Sequence, residues 1–435
     1  MNGPGSTVAA DTSPNADARA AVAQSAADRL SQRSLRRLHL ALQTITESLA
    51  GELARPGVVL PDWSASEWAV ARAVAAIHGI SSLLADALRW QGPPGWTRFL
   101  AEQKAHTAQR FQRIQQLLRL IDSGARSRGI ALTGLKGAAL HAAGIYVAGE
   151  RPMADVDLLV REAELARAAQ LLAGLGYRHR YQTWKHQVFE RDDPDAPAAL
   201  GEHAGNGIKI ELHCHIREAL PLRAVDISDA VFPLRPVPGL NPYPSKAALL
   251  LHLLLHAAGA LTNRELRLLQ LHDVARLAGT MTDEDWEQVL CDATRTAEAD
   301  RWWAFPALAL ADRYYGCVPH RVLAAAARHC PWVLQRVYRR RTLAGASLSH
   351  LWISALPGIE WSHSSLAMLQ YAAARLLPSS ETLQQRKALG ILQPHVSGGA
   401  WTQLSQGRRI LRWLGSRQAR HATLQPVVAS LRATY

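Results

Sequence analysis

The spacing of apolar residues changes at Gly129, and this change constrains the fold more than any other feature of the sequence. From 34 to 128, apolar side chains recur every three to four residues, as they do in amphipathic helices. From 129 to 240, short apolar runs alternate with helical segments, which indicates a small unit of strands and helices. Helical spacing then returns. The sequence predicts an α+β fold, with a core built on a small mixed β-sheet between helical N- and C-terminal regions.

These changes divide the chain into five regions. Residues 1–33 have no sustained apolar periodicity and are predicted to be a flexible leader. A helical region at 34–128 precedes the sheet-containing core at 129–240. A second helical region, 241–330, is expected to pack on the core, and 331–435 form a basic helical C-terminal region.

The composition is that of a folded globular protein, with 48% hydrophobic and 20% charged residues among 435. The four cysteines are scattered without a CxxC pair, which favours a reducing compartment and buried thiols. The longest apolar run, Ala247–Leu261, is too short to span a bilayer, and no signal peptide is evident. We therefore expect no transmembrane segment and a cytoplasmic location.

Two carboxylates lie two residues apart in the predicted strand that contains Asp155 and Asp157. Residues two apart along a strand point to the same face, so these side chains should project together while Val156 points to the buried side. Adjacent carboxylates repel each other unless a cation or a proton lies between them. Their usual ligand is a hard divalent ion such as Mg²⁺.

The segment 208–215 alternates strictly between apolar and polar residues, and its polar face carries Lys209, Glu211, His213 and His215. Glu211 is a third carboxylate. With the aspartate pair on a neighbouring strand it could hold two Mg²⁺ ions, or Mn²⁺ in their place, roughly 3.5–4 Å apart. His213 is a candidate for contact with substrate or metal, whereas for His215 we favour a solvent-facing strand end.

A short strand ends at Leu135 and is followed by Lys136, Gly137 and Ala138 at the predicted start of a helix. Backbone N–H groups at a helix start attract phosphate, and Gly137 permits close backbone approach. Lys136 and Arg151 could neutralise a triphosphate, Arg151 with the better fork geometry. Lys136, Gly137, Ala138 and Arg151 are therefore the candidate nucleotide-binding residues.

Between Leu132 and His215 the chain contains, in order, Leu-Lys-Gly, Arg-x-x-x-Asp-x-Asp-Leu-Leu-Val, Gly-Tyr and Ile-Glu-Leu-His. In these motifs it resembles the uncharacterised nucleotidyltransferase family of the polymerase-β-like superfamily. The resemblance implies a nucleotidyltransferase core at 129–240. It also implies that the next helices pack across the cleft, with His256 and Asp273 on its far side.

The resemblance implies roles for individual residues as well. Asp155, Asp157 and Glu211 match the metal-binding carboxylates of the superfamily, and Gly137 with Lys136 matches its phosphate-binding loop. Magnesium, ATP or another NTP, and a nucleotidyl acceptor are the implied cofactor and substrates.

We interpret the chain as an enzyme that moves a nucleoside monophosphate from an NTP to a hydroxyl-bearing acceptor and releases pyrophosphate. Asp155 and Asp157 would bridge both metal ions. Glu211 would hold the ion nearer the acceptor and would help to deprotonate the acceptor hydroxyl. Arg151 would stabilise charge on the leaving pyrophosphate. The loop 182–207 would cover the acceptor: a small molecule, a sugar, a peptide or a protein.

Ala138 stands where the wider superfamily has Ser or Gly, so one side-chain contact to phosphate would be lost. This departure motivates an alternative from another class, a catalytically degenerate adaptor that binds nucleotide or RNA. A third interpretation, polymerisation or tailing of nucleic acid, would require strong salt-dependent affinity for RNA or DNA.

The formal net charge of +13 is concentrated at the C-terminal end of the chain. Residues 331–435 contain twelve arginines and one lysine but only two glutamates, so the net charge of this region is +11. The clusters Arg339–Arg341 and Leu404–Arg420 could contact a polyanion such as RNA, or the second could lie on an anionic membrane. A solvated helix face in an arginine-rich chain is the third alternative, and all three stay open.

Overall fold

Helices surround a six-stranded mixed sheet in the computed structural model of the protein, which confirms the predicted α+β fold with helical flanks. The structure describes residues 31–192, 200–221, 223–290, 301–378, 404–415 and 417–433. Residues 1–30 of the predicted leader, 1–33, lie outside the described residues.

Between residues 31 and 128 the chain forms α1 (Gln32–Ala54), α2 (Ala65–Ile77), α3 (Ser81–Ala87) and α4 (Pro94–Ser127). Side chains suited to helix starts define these elements. Ser64 caps α2 and forms a capping box with Glu67, and Pro94 occupies the first turn of α4, where its missing N–H costs nothing. The apolar stripe of α4 then packs against the sheet.

The sheet lies between residues 131 and 241. Its strands are β1 (Ala131–Gly134), β2 (Asp155–Val160), β3 (Arg178–Gln182), β4 (His186–Glu190), β5 (Lys209–His213) and β8 (Gly239–Asn241). β6 (Arg217–Leu220) and β7 (Arg223–Asp226) form a separate hairpin. The connecting helices are α5 (Lys136–Ala142), α6 (Leu165–Gly174) and α7 (Ser228–Val231).

The strand order β3-β4-β5-β2-β1-β8 places β2 and β5 side by side at the centre of the sheet. These two strands are parallel, as are β1 and β8, and the other pairs are antiparallel. Val156, Leu158, Ile210 and Leu212 point from β2 and β5 into the apolar core beneath α4 and α6. The alternate residues, which include Asp157 and Glu211, therefore face the opposite side.

Ten α-helices are described after the sheet, and the first two lie over that opposite side. The ten helices are α8 (Lys246–Thr262), α9 (Leu268–Ala278), α10 (Asp283–Leu290), α11 (Phe305–Tyr315), α12 (His320–Arg328), α13 (Trp332–Tyr338), α14 (Leu343–Ala346), α15 (Ser365–Leu376), α16 (Gln406–Gly415) and α17 (His421–Arg432). α17 returns to the N-terminal helices, where Ser430 Oγ donates to the Ala69 carbonyl at 2.7 Å. The two helical flanks thus share one apolar core.

The spacing of apolar residues also predicts a helix over 264–277, and the structure corrects its start to Leu268. Arg264 adopts a φ of 56°, which lies outside the right-handed helical region. Leu266 forms an isolated parallel bridge with Ser347. The first residues of the expected helix therefore pair with the C-terminal region instead of forming a helical turn.

The predicted loop 182–207 is wrong in its first part. Residues His186–Glu190 form strand β4, which pairs with both β3 and β5. Residues 193–199 lie outside the described residues. The chain from 200 to 207 runs along α4, where it contacts Gln103 and Arg110.

In the basic C-terminal region, the structure places the two arginine clusters in different environments. Arg341 of the first cluster forms an ion pair with Glu360. In the second cluster, α16 has no buried residue and exposes Leu411, Trp413 and Leu414. The contact of this region with a polyanion or a membrane stays a prediction.

No single helix in the described part of the chain has both the length and the apolar character to cross a membrane. Among the described helices, α2 and α3 reach the required apolar length when taken together, and a bend of 112° separates them. The cytoplasmic location also stays a prediction.

Arg110, which is 3% exposed, fastens α4 to the chain around the central strands. Its guanidinium donates to the carbonyl oxygens of Met153 (2.9 Å), Ala154 (2.7 Å), Asn206 (2.6 Å) and Gly207 (3.1 Å). Each carbonyl precedes β2 or β5 by a few residues. One buried cation therefore fixes the entry of both strands that carry the acidic residues.

Replacing Arg110 by Leu should lower the free energy of unfolding by about 3 kcal/mol, because several buried carbonyl groups lose their donor. Urea denaturation followed by circular dichroism measures this loss. The exposed Arg119 on the same helix provides the control, and Arg119→Leu should change stability by less than about 0.5 kcal/mol. Equal losses in the two variants would contradict a fastening role for Arg110.

Candidate active site

Strands β2 and β5 bring three carboxylates together. In their parallel register Asp157 lies opposite Glu211, and Asp155 lies opposite Lys209. Asp157 and Glu211 are 4% and 8% exposed, whereas Asp155 begins β2 at the rim and is half-buried. All three line one cleft, and Val156 is buried on the opposite face. The alternation along the two strands predicts this arrangement correctly.

Two lysines offset the negative charge of these carboxylates. Lys136 Nζ donates to Asp157 Oδ1 at 2.8 Å. Lys209 Nζ lies 2.6 Å from Glu211 Oε1 and 3.8 Å from Asp155 Oδ2. Burial disfavours the charged form of Lys136, but Asp157 and the other two carboxylates outweigh it and raise the pKa of Lys136. Both ammonium groups therefore stay charged.

The buried carboxylates differ in their pKa. Burial favours the neutral form of Asp157, but Lys136 and His213 oppose it and hold the pKa of Asp157 well below its ordinary value. Burial, together with the charges of Asp157 and Asp155, raises the pKa of Glu211 from 4.5 to about 7. Near neutral pH, Asp157 is thus a fixed anion and Glu211 can accept or release a proton.

Two histidines adjoin the carboxylates. His213, the predicted contact for substrate or metal, lies with Nε2 3.1 Å from Asp157 Oδ1. His186 lies directly opposite His213 across β4 and β5, with ring centroids 4.9 Å apart. His215 is half-buried, with Nδ1 3.7 Å from Asp226 Oδ2.

Arg151 joins the sheet to the helices across the cleft. Its Nε and Nη2 donate to Asp273 Oδ1 and Oδ2 at 2.7 and 2.6 Å, and Tyr146 Oη donates to Asp273 Oδ1 at 2.8 Å. Asp273 is 2% exposed and Arg151 is 8% exposed. This bidentate pair sets the width of the cleft between the loop before β2 and α9.

The candidate phosphate loop has a strained backbone. Lys136 adopts a φ of 46°, a left-handed conformation that is sterically unfavourable for a residue with a side chain. A Cβ on Gly137 would lie 2.5 Å from Arg151 Nη1, so the glycine is required by the position of Arg151. Lys136, Gly137 and Arg151 line the cleft, whereas Ala138 is not among its lining residues.

The cleft has a volume of about 580 Å³. His256 and Asp273 line its far side, as expected from the resemblance. Lys185 and Glu218 also line it and form an ion pair of 2.5 Å, and Trp184 lies beside them. This volume is within the range of sites that hold a small organic ligand.

Several of these residues escape sequence analysis. The side chains of Trp184, Lys185 and His186 fall within the predicted loop, and Glu218 follows the last recognisable motif. The weak alternation from 177 to 189 indicates a strand but does not fix its register. His186 becomes recognisable only once β4 is paired with β5.

The profile of the uncharacterised nucleotidyltransferase family matches residues 64–316, more than half of the chain. The chain belongs to this family, as its motifs indicate. Neither a curated protein nor a solved structure matches it.

The carboxylates suit a hard divalent cation. The Lys209 ammonium lies between Glu211 Oε1 and Asp155 Oδ2, so a positive charge already bridges two of the three acidic residues. Carboxylate oxygens are the ligands that Mg²⁺ prefers in proteins. The donor set therefore fits Mg²⁺, with Asp155, Asp157 and Glu211 as the residues that would hold it.

Replacing Asp273 by Asn should lower the free energy of unfolding by about 3 kcal/mol, because it leaves the buried Arg151 guanidinium without a counter-charge. Urea denaturation measures the change. The matched control is Asp283→Asn, since Asp283 pairs with Arg321 at 2.7 Å on the surface and should contribute less than about 1 kcal/mol. A small effect at Asp273 would show that the pair does not hold the cleft walls together.

The raised pKa of Glu211 predicts a pH-dependent stability. The unfolded chain ionises this carboxyl near its ordinary pKa of 4.5, but the folded chain does so only near 7, so native stability is lost as pH rises between these values. In a chelating buffer, Glu211→Gln should therefore be more stable than the wild type by about 2–3 kcal/mol at pH 8. At pH 4.5 the two should be nearly equal.

Thermal and urea denaturation at both pH values check this prediction. The exposed Glu284 provides the control, and Glu284→Gln should show no such difference. A stabilisation of Glu211→Gln that was independent of pH would assign the effect to packing instead of charge.

Proposed function

We propose that the protein is an Mg²⁺-dependent nucleotidyltransferase that moves a nucleoside monophosphate from an NTP to a hydroxyl-bearing acceptor. The acceptor oxygen attacks the α-phosphorus, the bond from that phosphorus to the β-phosphate oxygen breaks, and pyrophosphate leaves. The acceptor proton passes to a base. The observation that carries this proposal is the set of three carboxylates on the neighbouring strands β2 and β5, all of which line the cleft.

Asp155, Asp157 and Glu211 would hold the metal through their carboxylate oxygens. When bound, Mg²⁺ would lower the pKa of the acceptor hydroxyl and neutralise charge on the phosphates. Mn²⁺ could serve in its place. The half-buried position of Asp155 supports these three residues as metal ligands, because it leaves one carboxylate accessible from the cleft.

Glu211 is the proposed base for the acceptor proton. Glu211 lines the cleft, and a bound metal that lowers the pKa of the acceptor hydroxyl would allow a carboxylate at this position to take the proton. Asp157, whose pKa is held well below its ordinary value, would stay ionised throughout.

Lys136, Gly137 and Arg151 are the proposed nucleotide-binding residues, and their presence along the cleft supports this role. Lys136 would offset phosphate charge, and Arg151 would stabilise charge on the leaving pyrophosphate. Ala138 remains a sequence-based candidate that could contribute only its backbone. The acceptor would enter beside Trp184 and Glu218, which also line the cleft.

A non-catalytic adaptor that binds nucleotide or RNA is the alternative. One observation favours it: Lys136, Lys209 and Arg151 are all ion-paired within the chain, so the site carries its own counter-charges. Such a site could bind a nucleotide without turning it over.

Pyrophosphate release separates these two functions. The wild type should release pyrophosphate from at least one of the four NTPs with Mg²⁺ and cell extract as the acceptor source. Asp157→Ala and Glu211→Ala should each reduce release by at least about 100-fold, because each removes a group on which charge stabilisation in the transition state depends. Labelled NTP would then identify the acceptor.

The exposed Asp229, outside the cleft, gives the matched control, and Asp229→Asn should retain wild-type release. Nucleotide binding by calorimetry without pyrophosphate release would favour the adaptor. Release that persisted in both carboxylate variants would contradict the proposed site.

A further inference from the structure

A second group of possible metal ligands lies beside the three carboxylates of β2 and β5, and its ligand atoms are closer together. Among the described residues, His186, Glu211 and His213 form a group that could hold a metal ion. Their ligand atoms all lie within 4.8 Å of one another. The three carboxylates do not form such a group. We propose that His186, Glu211 and His213 bind a transition-metal dication such as Zn²⁺ or Co²⁺.

The backbone brings these three residues together. The antiparallel pairing of β4 and β5 sets His186 directly opposite His213. Glu211 lies two residues before His213 and therefore points to the same face of the sheet. The three ligands thus come from two hydrogen-bonded strands, which hold a site more precisely than a loop does.

The distances are close to those of a metal centre. Glu211 Oε2 lies 3.4 Å from His186 Nδ1 and 3.9 Å from His213 Nε2. Ligand atoms about 2.0–2.1 Å from a tetrahedral Zn²⁺ are about 3.3–3.4 Å from each other. Small rotations of the side chains would therefore bring all three atoms to bonding distance.

One ligand atom is without a hydrogen-bond partner. His186 Nδ1 is buried, and its approach to Glu211 does not have hydrogen-bond geometry. Buried polar atoms are almost always paired, so an orphaned imidazole nitrogen that faces a carboxylate and a second imidazole suits a metal.

Further ligands are available. Asp157 Oδ1 lies 3.1 Å from His213 Nε2 and could complete four-coordination. A cavity of about 90 Å³ is lined by the three residues together with His252 and His256, and it could admit a water ligand.

The ligand types select the metal. Imidazole nitrogen suits Zn²⁺, Co²⁺, Ni²⁺ and Cu²⁺, whereas Mg²⁺ prefers oxygen ligands only. Glu211 would be shared between this site and the proposed magnesium site, but the transition-metal site does not depend on catalysis. It would exist in a protein that transfers no nucleotide.

Cobalt binding tests the proposal directly. The full-length protein, freed of metal by a chelator, is titrated with Co²⁺ in the absence of nucleotide and acceptor. We expect one Co²⁺ per chain with the intense visible absorption of a four-coordinate site, displaced by Zn²⁺ and not by an equal concentration of Mg²⁺. Because no nucleotide is present, the outcome is independent of transferase activity.

Variants locate the site. His186→Gln and His213→Gln should each weaken Co²⁺ binding by about tenfold or more. His179→Gln, on the neighbouring strand β3 and exposed, should bind within about twofold of the wild type. Absence of the visible band, or equal binding by His186→Gln and the wild type, would overturn the proposal.

A measurement on the wild type covers the case in which a histidine variant does not fold. X-ray absorption of the protein loaded with one equivalent of Zn²⁺ should show two imidazole ligands and oxygen scatterers. A shell of oxygen atoms without imidazole would assign the metal to the carboxylates alone and would overturn the site.

Discussion

Electrostatic repulsion between Asp157 and Glu211 is the constraint on which the arrangement of the site depends. The parallel pairing of β2 and β5 sets these residues opposite each other, and both are buried. Burial weakens solvent screening, so the chain must supply the counter-charge itself. Lys136 offsets Asp157, and Lys209 offsets Glu211. Burial, together with the charges of Asp157 and Asp155, still raises the pKa of Glu211.

A site with such internal repulsion needs a rigid frame, and two buried arginines provide it. Arg110 holds the backbone just before β2 and β5, and Arg151 joins the loop before β2 to Asp273 on α9. Each arginine connects elements that are distant in sequence. The helical flanks are therefore part of the site, because they fix the strands from below and close the cleft from above.

Much of the site follows from strand parity, which needs only the sequence. Alternation is sufficient to place Asp155, Asp157 and Glu211 on one side and Val156 on the other, and the structure agrees. Long-range pairing is not accessible in this way. The strand β8 pairs with β1 through Gly239, Leu240 and Asn241, and no apolar pattern reveals the φ of 106° at Gly239. The start of α9 is set by a bridge from Leu266 to Ser347, and the place of His186 by its pairing with His213. Each depends on a partner distant in sequence.

The shared position of Glu211 relates the two cation chemistries that the site permits. Its Oε1 faces Lys209, which also lies near Asp155, whereas its Oε2 faces His186 and His213. A single carboxylate that bound a transition metal through Oε2 would carry less charge for a cation at Oε1. Binding on the two sides is therefore expected to be antagonistic, since each cation withdraws electron density and occupies an orientation of the same side chain. Under the two proposals, Glu211 would link the affinity for the hard cation to the occupancy of the transition-metal site.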